Sequence, residues 1–92
     1  MTFTKTTISG STATGSHGGV IYSGATTSNT VAFSGNTATD PSSVATSTAG
    51  TYGGAIYLTG PTNTITTDAH TSFSTSTAGN SGGVIYIAGT GT

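Results

Sequence analysis

The chain is 92 residues long, enough for one domain spanning 1–92, and only 3% of it is charged, against roughly a quarter of an ordinary soluble domain. A net charge of −1 gives no electrostatic reason to expect nucleic acid or an acidic lipid surface as partner, and the absence of Cys excludes disulfides and thiolate metal sites. Apolar residues are 32%, with no run near the ~20 residues of a membrane helix, so membrane insertion is not expected either.

The opening MTFTKTTISG carries no signal-peptide apolar stretch. The first recognisable element is Ile8–Thr14, ISGSTAT: an apolar residue, two small residues, Ser or Asn, then Thr-Ala. It leads into GGVIY at Gly18–Tyr22 and then NTV at Asn29–Val31. The first element returns as FSGNTAT at Phe33–Thr39 and again as VATSTAG at Val44–Gly50. Between these copies, Asp40-Pro41-Ser42-Ser43 reads as a loop bulging from one coil. GGAIY follows at Gly53–Tyr57, NTI at Asn63–Ile65, FSTSTAG at Phe73–Gly79 and GGVIY at Gly82–Tyr86. The Gly pairs therefore start at 18, 53 and 82, spaced by 35 and then 29 residues, and Ser43–Tyr57 matches Ser72–Tyr86 over most of its length. Such a period marks a coil-by-coil repeat.

Polar low-complexity chains often stay disordered, but those are rich in Pro, Glu and Lys. The bulky residues here are the strand formers Val, Ile, Tyr, Phe and Thr. Apolar residues do not recur at i, i+3 and i+4 over any useful window, so no helix is predicted. Three short strands per cycle, broken by Gly, Ser and Asn turns, predict an all-β fold: a parallel β-helix of about three coils. Each strand lies on its equivalent in the next coil, about 4.8 Å away.

Equivalent side chains should then stack in core ladders: Ile21, Ile56 and Ile85; Val31 with Ile65; and Ile8, Val44 and Phe73. Period-2 alternation sets Tyr22, Tyr57 and Tyr86 opposite the Ile ladder. With Ile inward, the three Tyr form a surface ladder. The reverse stays open, because Val20, Ala55 and Val84 share the Tyr face. A buried Tyr hydroxyl needs a partner, which favours Ile inward. Asn29 and Asn63 sit in one Asn-Thr-apolar context, so their amides are expected to bond from coil to coil.

These motifs resemble the repeats of the polymorphic outer membrane proteins of chlamydiae, which pair a GG[A/L/V/I]-type tetrapeptide with FxxN. The first element matches at Gly18–Ile21, Gly53–Ile56 and Gly82–Ile85; FxxN matches strictly at Phe33–Asn36, while the other copies carry Ser11, Ser47 or Ser76 in place of Asn. The resemblance points to a repeat type and implies a right-handed β-helix in secreted or cell-surface adhesive proteins.

Catalytic chemistry is hard to assemble. Glycoside hydrolysis normally uses two carboxyl groups across one bond, and the only acids are Asp40 and Asp68, expected in loops about one coil apart. Lys5 is the only Lys or Arg. His17 and His70 are read as solvated loop residues, since two ligands make a poor metal site even with Asp68 near His70. No metal, cofactor or enzymatic activity is expected. No Walker-type loop is present among the glycines.

A chain of this size usually needs extra support, and an uncapped solenoid exposes open strand edges. It is either part of a longer solenoid or stacks on copies of itself. The expected assembly edges are Phe3 and Ile8 at one end, and Val84, Ile85 and Ile87 at the other. The leading expectation is a structural subunit of an extracellular or cell-surface fibre, built head to tail, with the Tyr ladder free for glycans or neighbouring fibres. The alternative is a passenger segment of an adhesin; a polysaccharide-active β-helix enzyme comes third.

Overall fold

The structure, a computed structural model, describes residues 1–24 and 26–91. Among these residues there is no helix, and every strand pairing is parallel. The first coil holds β2 (Thr7–Ser9), β3 (Thr12–Ala13), β4 (Ile21–Ser23) and β5 (Ser28–Phe33). The second holds β6 (Ser42–Ala45), β7 (Thr48–Ala49) and β8 (Ile56–Thr66); the third holds β9 (Thr71–Ser74), β10 (Thr77–Ala78) and β11 (Ile85–Gly91). A short β1 (Thr2–Phe3) precedes the first coil and pairs with the end of β5. The second coil is the middle layer of all three sheets: β6 lies between β2 and β9, β7 between β3 and β10, and β8 between β11 and the pair β4 and β5. This is a parallel β-helix of three coils. Its extents are 34 × 27 × 14 Å, and the shortest corresponds to the three gaps from β1 to β11 at about 4.8 Å each. The molecule is a flat disc whose two broad faces are strand edges.

The corner after each apolar residue is the same turn. The residue two places on has a left-handed backbone: Gly10 (φ 71°) after Ile8, Gly35 (φ 70°) after Phe33, Thr46 (φ 55°) after Val44 and Thr75 (φ 51°) after Phe73. Lys5 (φ 51°) after Phe3 adds a fifth copy that the motif reading missed. The Ser or Asn that follows turns inward: Ser47 and Asn36 are buried, and Ser11 and Ser76 are half-buried. The apolar-Thr-Ala copies beginning at Ile8, Val44 and Phe73 are thereby each split into two strands, on either side of this corner, while the copy beginning at Phe33 leaves β5 for a loop.

Two other expectations change. The extra length of the first cycle lies mainly in 34–41, closed by reciprocal backbone bonds between Thr37 and Asp40 (3.1 and 3.2 Å). Ser42 and Ser43 belong to β6, not to the loop. Ser42 is fully buried because its hydroxyl accepts from Thr6 N (3.0 Å) and donates to Asn36 Oδ1 (2.6 Å). Secondly, the GG-x-Ile-Tyr and Asn-Thr-apolar strands are one continuous strand in the second coil, since β8 runs through Gly60 and Pro61.

The core is a narrow seam along the axis, formed by Ile21, Val31, Phe33, Val44, Ala55, Ile56 and Leu58. Strand register places Ile21 beside Ile56 and Ile85 beside Ile56. It likewise places Val31 beside Ile65, and Val44 between Ile8 and Phe73.

Candidate functional site

Three regions carry the side chains of functional interest: the aromatic column on the side of the disc, its polar corners, and its two broad faces.

The aromatic column starts at the Gly pairs. The first Gly of each pair is left-handed (Gly18 and Gly53 at φ 64°, Gly82 at φ 66°), and a Cβ there would strike the carbonyl of the Ile three residues on. The turn that follows alters the expected alternation. Val20 N and Ile21 N both donate to Ala55 O (2.8 and 2.9 Å), and Ala55 N and Ile56 N both donate to Val84 O (2.9 Å each). Two adjacent N–H groups converging on one carbonyl is the habit of a bulge, which puts neighbouring side chains on the same side. Ala55 is accordingly buried with Ile56, and Val20 and Val84 pack on the core. They do not share the Tyr face.

Alternation begins at Ile56: Ile56 in, Tyr57 out, Leu58 in. Tyr22, Tyr57 and Tyr86 therefore form the outer column, with ring centroids 5.2 and 5.6 Å apart and planes 11° and 6° from parallel. A second column joins it. Tyr52 stacks on Tyr86 at 4.6 Å, and His17 stacks on Tyr57 at 4.5 Å. His17 is thus a half-buried part of an aromatic surface, with Nδ1 bonded to the Thr51 hydroxyl, and not a solvated loop residue. Burial, and then the neighbouring Tyr22, Tyr86 and Tyr52, push the Tyr57 phenol above its ordinary 10.0.

At the corners, the expected coil-to-coil amide bond is present. Asn29 Nδ2 donates to Asn63 Oδ1 (2.8 Å), and Asn63 Nδ2 continues to Gly60 O (3.1 Å) and Thr90 O (3.0 Å). Both side chains are buried. The acids are engaged in structure. Lys5 Nζ pairs with Asp40 Oδ2 at 3.1 Å on the open surface. Asp68 accepts from Asn36 N (3.0 Å), Asn36 Nδ2 (3.2 Å), His70 N (3.1 Å) and the Thr71 hydroxyl (2.8 Å). The Asn36 backbone bond is the leading cause that holds Asp68 below the ordinary carboxylate value, against a smaller opposing effect of burial. His70 meets Asp68 through its backbone N–H, and no three His, Cys, Asp or Glu side chains gather among the described residues.

The broad faces are edges of parallel sheets. β2, β3 and β4 bound one, and β9, β10 and β11 bound the other. Burial is complete or nearly so in the core residues of the middle coil and in Ile21, Val31 and Phe33 of the first, and falls off towards the remaining outer positions. In the middle coil, Val44, Ile56 and Leu58 are at most 1% exposed. On the outer layers Phe3, Ile8, Phe73, Val84, Ile85 and Ile87 are only half-buried, although all pack against the core. Ile65 is also half-buried; among the described residues, β11 pairs along β8 as far as Asn63. β1 covers part of its face, with Phe3 stacked on Phe33 at 4.9 Å.

The sequence reading missed Leu58 and Phe33 in the core, and Tyr52 and His17 in the aromatic surface. A signal existed for each. Leu58 lies two residues past Ile56, and Phe33 two past Val31. His17 and Tyr52 each directly precede a Gly pair. No family model, curated protein or solved structure matches the chain.

Proposed function

We propose that this chain is a structural, non-enzymatic building block of an extracellular or cell-surface fibre, assembled by stacking its coils end to end on copies of itself. One observation carries the reading. Among the described residues, both broad faces combine unpaired parallel strand edges with half-buried members of the apolar ladders. Strand edges of this kind pair with other chains, and a net charge of −1 offers little repulsion against it. The motif resemblance to chlamydial polymorphic outer membrane protein repeats supports the surface location.

The test is electron microscopy and sedimentation of the purified chain across concentration. Long unbranched filaments, little affected by salt, are expected. A monodisperse monomer at every concentration defeats the proposal. The aromatic surface favours a second reading, a binding module of the adhesin type, because Tyr22 is 57% exposed at one end of the column. A soluble monomer that binds cells or glycans, and loses that binding on Tyr22→Ala, would select it.

A further inference from the structure

We infer that the third-coil face seats the first coil of a second copy, in the register that brings Gly83 against Gly19 of that copy; this rests on the fibre reading and specifies its joint. The argument is steric and starts with the second Gly of each pair. A Cβ on Gly19 would collide with the carbonyl oxygen of Gly54 and come within 2.8 Å of Thr48 O. A Cβ on Gly54 would collide with the carbonyl oxygen of Gly83 and come within 2.5 Å of Thr77 O. Each glycine is thus required by the coil that follows it. Gly83 breaks the series. A Cβ there would meet only Ser76 O, at an ordinary 3.6 Å, and its backbone is not left-handed. No contact among the described residues calls for glycine at 83. A fourth coil would, and repeating the step names its contacts: the Gly19 and Thr12 carbonyls of the incoming copy.

The hydrogen bonds advance by the same step. Gly18 N donates to Tyr52 O (3.0 Å) and Gly53 N to Ser81 O (3.1 Å); Gly19 N donates to Gly53 O (3.4 Å) and Gly54 N to Gly82 O (3.0 Å). One more step directs Gly82 N to His17 O, and Gly83 N to Gly18 O, of the second copy. Tyr22 of that copy then lands on Tyr86 and continues the column. Two third-coil faces cannot meet this way, because one strand direction would be reversed and the step lost. The joint is therefore heterologous, and it repeats without closing.

Gly83→Ala tests the register. The unassembled variant should keep the circular dichroism and thermal midpoint of the wild type, while its critical concentration for filaments rises more than ~10-fold. Gly54→Ala, with the same added methyl, should fail to fold. Added in small amounts to wild type, Gly83→Ala should stop growth at one end. Independently, Tyr22→Cys with Tyr86→Cys should give a ladder of covalent multimers when filaments are treated with a thiol oxidant. If wild-type filaments form but Gly83→Ala assembles equally well, or the double-Cys filaments give no ladder, the register is wrong and the fibre reading stands. If wild type forms no filaments, both fall.

Discussion

Thr46 and Thr75 occupy a conformation that Gly10 occupies in the first coil. A β-branched residue there is strained, at roughly 1–2 kcal/mol relative to the right-handed region. Asn tolerates it much better. Thr46→Asn is therefore expected to stabilise the chain by about 1 kcal/mol, read as a rise of roughly 4–8 °C in thermal midpoint. Gly10→Thr should move the midpoint the other way. Asp68 gives a second expectation at this scale. Its pKa is depressed in the folded chain, so the stability it contributes is complete above its unfolded value of 3.8 and is lost as pH falls through the lower folded value. Acid melts should show this fall in the wild type, and Asp68→Asn should flatten it. The turn that Asp68 anchors was not legible in the sequence. DAH looks like any solvated loop until the Asn36 amide arrives from the preceding coil.

Elements were legible where the period is strict. Ile, Tyr and Leu alternate cleanly from Ile56 onward, so the direction of the Tyr column follows from one inward Ile. The pattern misled where backbone geometry departs from a strand. At Ala55 the shared carbonyl acceptors turn two successive residues inward, and no periodicity rule contains that. Polar residues inside the coil are equally specific. Asn63 is 1% exposed and joins three layers through its amide. Asn63→Ala removes its bonds to Asn29, Gly60 and Thr90, and should destabilise the chain by about 2–3 kcal/mol in a denaturant melt. The Tyr column predicts an alkaline limit. Tyr57 is raised above 10.0 in the folded chain, so its contribution is complete below that pH and is lost as pH climbs through the folded value. A melt series above pH 10 should show a falling midpoint, less steeply in Tyr57→Phe.

At the scale of the whole molecule, the architecture was the most legible part. Three Gly pairs and their flanking motifs gave the number of coils and the parallel stacking, because a solenoid writes its period directly into the chain. What the period could not give was the difference between layers. Equivalent residues such as Gly54 and Gly83, or Ile56 and Ile85, are alike in sequence and differ only in whether another coil lies above them.

The covalent chain winds around the disc, while along its 14 Å thickness the layers are held by hydrogen bonds and side-chain ladders. A pull along the axis therefore loads those weak bonds in series. Within one copy, releasing a coil of the 29-residue period exchanges one layer of about 4.8 Å for roughly 100 Å of slack chain. In the proposed fibre, no peptide bond would cross the joint between copies. A column of such discs would yield first at its joints, and extend only where neighbouring fibres hold those joints together.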